Sequence, residues 1–85
     1  MIGLKVVKLN DVWVAVRFLL NGKVIGDVTT MIGEDGKIEK VDPGLSVTKD
    51  IGDDYFHFTG PLINKVIDKV NNGELGFDEV YTVEE

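Results

Sequence analysis

The chain has no cysteine, and only one histidine and one serine. Without cysteine there are no disulfide staples and no thiolate metal sites, and a reducing, cytoplasmic setting is expected. With Ser46 and His57 each alone of their kind, nucleophilic catalysis would require Ser46, His57 and Asp54 to converge, yet no nucleophile-elbow pattern surrounds Ser46. Long apolar runs are also missing. The longest uncharged stretch falls far short of a membrane span, and no basic-then-apolar opening segment appears, so no membrane partner is expected. Gly33 and Gly36 frame a hairpin-like turn and not a strand–loop–helix phosphate cradle.

Positive charge is scarce in the second half. Residues 50–85 carry nine acids against Lys65 and Lys69, whereas residues 1–49 balance at +1, so the net charge of −6 is concentrated late in the chain. Direct nucleic-acid binding needs lysine and arginine to displace counterions from phosphates, and an acidic half opposes it. The same charge favours a partner with a basic surface.

What is present suits a globular domain. Hydrophobic residues make up 44% and charged residues 28%, outside the disordered range. The 85 residues are enough for one domain, 1–85, with a modest core that removes roughly 60–65% of the unfolded surface from water.

Alternation dominates residues 12–32. Val12, Val14, Val16 and Phe18 share one side of a strand, with Trp13, Ala15, Arg17 and Leu19 on the other. Asn21-Gly22 signals a hairpin. A three-residue loop, Leu20-Asn21-Gly22, would pair Phe18 with Val24, Val16 with Gly26 and Val14 with Val28, giving one continuous apolar face. The opposite face would then hold Trp13, Arg17, Leu19, Ile25 and Met31 beside Asp27 and Thr29, a large apolar content for a wet surface. Further strands are expected over Ile2–Val6, Ile38–Val41, Leu45–Val47 and Tyr55–Phe58. A closing edge strand is expected with Phe77, Glu79, Tyr81 and Val83 on one parity. Leu62, Ile63, Val66, Ile67 and Val70 form an apolar stripe at helical spacing after the capping candidates Thr59 and Gly60 and the first-turn Pro61. "NNG" at 71–73 stops that helix. The expected fold is α+β: an antiparallel β-meander of five to six strands, a helix over about 61–72 on one face, and a C-terminal edge strand.

The stretch "DIGDDYFHFTGP", residues 50–61, gathers Asp50, Asp53, Asp54 and His57. These are weak candidates for a metal site. One histidine with carboxylates in a loop does not supply converging ligands from defined elements, and the spacing does not fit a calcium loop. No catalytic residue and no cofactor is therefore assigned. The stretch reads as a turn, a strand whose Phe56 and Phe58 enter the core, and a helix start.

The functional expectation is a small acidic, non-catalytic interaction domain. In one version it inhibits a basic, nucleic-acid-binding protein. The candidate contact residues are Trp13, Arg17, Leu19, Ile25 and Met31 on the hairpin face, and the acids Asp78, Glu79, Glu84 and Glu85. The alternatives are a homo-oligomeric structural subunit joined through the Trp13 face, and a small enzyme or ligand-binding domain centred on Asp54 and His57. A competing account of the Trp13 face has residues 45–58, or the C-terminal strand, folding back over it.

Overall fold

The alternating stretch forms two long antiparallel strands, and the rest of the fold is arranged around them. In the computed structural model, which describes residues 1–83, the elements run β1 (Ile2–Lys8), β2 (Trp13–Leu20), β3 (Lys23–Met31), β4 (Ser46–Ile51), β5 (Asp54–Thr59), α1 (Gly60–Asn71) and β6 (Tyr81–Val83). Glu84 and Glu85 lie outside the described residues. The fold is α+β. Its strands divide between a four-stranded antiparallel sheet, ordered β3-β2-β1-β6, and a separate β4–β5 ribbon.

The β2–β3 register differs from the expected one. Asn21 and Gly22 both have positive φ, 51° and 83°, and Leu20 pairs with Lys23, so the loop has two residues. The irregularity lies further along. Leu19 faces Val24 but Phe18 faces Gly26, which makes Ile25 the extra residue of a bulge. Beyond it Val16 pairs with Val28 and Val14 with Thr30. A bulge in β3, and not a longer loop, restores the continuous apolar face. It also exchanges two residues: Ile25 packs against the core, and Val24 takes its place opposite Leu19.

On the front face of the sheet, Leu4, Val6, Val14, Val16 and Phe18 are fully buried. Ile63, Val66 and Ile67 of α1 close over them, each contributing about 1.5–3 kcal/mol by burial. Phe58 of β5 stacks on Phe18, with ring centroids 4.1 Å apart and planes 7° from parallel. The ribbon therefore joins the helix on the front face. Both helix ends are capped. Thr59 Oγ1 accepts the Leu62 N–H at 3.4 Å. After Asn72, Gly73 turns with φ 76°, and the Gly73 and Glu74 N–H groups reach back to the Val70 and Lys69 carbonyls, a Schellman ending.

The expected strand over Ile38–Val41 does not form. Only an isolated bridge joins Ile32 to Ile38. The segment runs along α1 instead, where Asn71 bonds both main-chain groups of Ile38 and Asn64 both of Val41, at 2.7–2.9 Å. Two helix side chains replace a neighbouring strand, and the meander is interrupted there. Gly60 lies against the same connection. Its N–H donates to the Leu45 carbonyl at 2.6 Å, and a Cβ there would collide with the Asp42 carbonyl and the Pro43 backbone.

The C-terminal strand is shorter than its parity suggests. Phe77 and Glu79 precede it in a turn where Asp78 has φ 65° and donates its N–H to the Val6 carbonyl. Only residues 81–83 pair with β1. Among the described residues, no helix is long and apolar enough to cross a membrane.

Candidate functional site

The helix and the ribbon both occupy the front, and among the described residues no helix or strand covers the back of the four-stranded sheet. The cross-strand pairs of β2 and β3 lay out this back face in rows: Trp13 beside Met31, Ala15 beside Thr29, Arg17 beside Asp27, Leu19 beside Val24. β1 extends two of them, Val7 beside Ala15 and Lys5 beside Arg17. The surface is apolar at both ends and charged between, with Ala15 buried within it.

Exposure separates its members. Trp13 is 43% exposed, Val24 45% and Met31 39%. Leu19 is buried, only 3% exposed, which corrects its expected place among the open contact residues. Val80 leans over the neighbouring Gly3, where a Cβ would come within 2.8 Å of its Cγ1. A cleft of about 290 Å³ lined by Met1, Gly3, Leu19, Asn21, Val80 and Thr82 lies at this end. The C-terminal segment thus reaches the rim of the back face but leaves its Trp13 end open. Ile25 is likewise absent from the face, having moved to the core side with the bulge. Val24, its replacement, was signalled by Asn21-Gly22, since a two-residue turn forces an odd residue elsewhere for both apolar sets to match.

Arg17 and Asp27 stand directly opposite each other. Neither belongs to an ion pair among the described residues, where Lys8–Asp11 at 3.9 Å and Lys40–Asp68 at 3.2 Å are formed.

The stretch that suggested chemistry forms the far end of the β4–β5 ribbon. Asp50 is a strand residue opposite Tyr55, and Asp54 pairs with Ile51 across a turn at Gly52 and Asp53, which corrects the loop placement of Asp50. His57 is exposed, and its Nδ1 lies 3.1 Å from Thr48 Oγ1 across the ribbon. Ser46 faces Thr59 at the base of the ribbon, whereas Asp54 is at its tip, so Ser46, His57 and Asp54 are strung along the ribbon. Among the described residues no three of the His, Asp and Glu side chains are grouped to hold a metal ion. The tip does expose Tyr55 at 66%, beside Ile51 and the three aspartates.

Asp78 and Glu79 occupy the exposed turn beside β1. The Glu79 carboxylate accepts the Gly76 N–H at 2.9 Å and closes that turn. Lys65 and Lys69 of α1 approach the Tyr81 ring, 5.6 and 5.8 Å from its centroid, and so anchor β6 beneath the helix.

No protein-family model, curated protein or solved structure matches this chain.

Proposed function

We propose that the protein is a small non-catalytic interaction domain and that its contact surface is the back of the four-stranded sheet. One observation carries this reading: Trp13, Val24 and Met31 stand open on a sheet face that no other element of the described chain covers. A single exposed apolar side chain needs no explanation, but an antiparallel sheet with one wet face ordinarily presents polar residues there. Tryptophan, methionine and arginine are the types enriched at protein contacts, with tryptophan a frequent anchor. A cytoplasmic setting belongs to this reading and rests on the cysteine-free composition alone.

A photo-crosslinking amino acid at Thr29, in the middle of the face, tests the reading in living cells. Defined adducts from Thr29, absent when the same group replaces Lys65 on the helix side, are expected. No adduct from Thr29 would contradict it.

The ribbon tip supports a second reading, in which the protein inhibits a basic, nucleic-acid-binding partner. Tyr55 and Ile51 would serve as anchors among Asp50, Asp53 and Asp54, carboxylates placed to meet lysine and arginine. Crosslinks from Tyr55, lost when the three aspartates become asparagine, would favour this reading over the sheet face.

A further inference from the structure

We infer that the occupant of the back face is a second copy of this chain, related by a two-fold axis that runs along the strands between β2 and β3. This rests on the back face being the contact surface. A two-fold contact must be self-complementary, each residue meeting whatever stands across the axis from it. With the axis placed there, the partner's rows lie over the same rows reversed, so every residue meets its own cross-strand neighbour from the other copy. Trp13 then covers Met31, an aromatic ring against a thioether. At the other end Val24 is the open apolar residue, Leu19 beside it being buried. Arg17 meets Asp27 twice, once on each side of the axis, which gives both charges the partner they lack within the chain. Lys5, beside Arg17 on β1, comes diagonally close to the same carboxylate.

One further feature suits a face-to-face contact. The lone pair of opposite charges fixes the register, because sliding one sheet along the other by one row would set Arg17 over Thr29 or Val24. With the axis there only β2 and β3 overlie their counterparts, roughly 26 by 10 Å per copy, which is smaller than a standard specific interface and makes the dimer a weak one.

Sedimentation velocity on charge-reversed variants decides. Wild type should dimerise at high micromolar concentration. Arg17→Asp and Asp27→Arg should each weaken dimerisation at least about tenfold by setting like charges face to face. Mixed in equal amounts, the two should form a heterodimer, and the double variant R17D/D27R should recover the wild-type dimer. Thermal melts of each variant establish that it is folded; the heterodimer on mixing cannot arise from damage to either. A wild type that stays monomeric, single variants that dimerise as well as wild type, or a mixture that stays monomeric would each overturn the proposal. A monomeric wild type that still gives Thr29 adducts of a different protein overturns the second copy alone and leaves the contact face standing.

Discussion

Asn71 holds Ile38 by both of its main-chain groups, the side-chain oxygen accepting at 2.8 Å and the side-chain nitrogen donating at 2.9 Å. Asn64 does the same for Val41. The spacings match physically. Seven residues of helix advance about 10.5 Å and three of extended chain about 10 Å, so two asparagines two turns apart can grip an extended segment at two points. Losing either side chain strands a part-buried N–H and a carbonyl. Asn64→Ala and Asn71→Ala should each destabilise by about 1–3 kcal/mol in urea unfolding, with faster amide exchange at Val41 or Ile38 respectively.

Gly60 presents the opposite case, a site where a better helix former does harm. By propensity alone, alanine would gain up to about 1 kcal/mol. The added Cβ has no room against the Asp42 and Pro43 backbone, and forcing that connection away should cost more, about 1–3 kcal/mol net. A lowered melting temperature for Gly60→Ala is the expected outcome.

The helix stripe is central to the core. Ile67 is fully buried, so Ile67→Ala should cost about 2–4 kcal/mol through lost burial and the cavity left behind. In a domain of this size that unfolds a visible fraction of the population at room temperature. Denaturant titration followed by Trp13 fluorescence reads it directly.

His57 should be dispensable to the fold. It is exposed, with one cross-ribbon contact to Thr48, and His57→Ala should change stability by less than about 1 kcal/mol. A loss several times larger would show that the ribbon depends on this contact and would return attention to the Asp54–His57 end as a built site.

Much of the fold was legible because local signals agreed. The apolar stripe, Thr59, Pro61 and Gly73 all delimited one helix, and it forms over 60–71. Asn21-Gly22 marked its hairpin. The missed strand failed because its backbone was satisfied by something distant in sequence. Ile38–Val41 alternates like a strand, but its partners are helix asparagines some 23 and 33 positions away. The bulge at Ile25 followed from two signals that each looked sufficient, turn type and face continuity, and both hold only if an extra residue intervenes. The candidate surface was legible in part for the same reason. Trp13, Arg17 and Met31 follow from parity alone, whereas exchanging Ile25 for Val24 required the bulge, and the burial of Leu19 depends on its surroundings at the Gly3–Val80 rim.

The open face can be read where the protein works. Hydroxyl-radical footprinting oxidises tryptophan and methionine in proportion to their exposure, and Trp13 is the only tryptophan. Compared between dilute purified protein and the protein inside its host cell, with the exposed Met1 as internal reference, Trp13 and Met31 should become several-fold less reactive in the cell. Equal reactivity of both residues in the two settings would contradict the assignment of the back face as a contact surface.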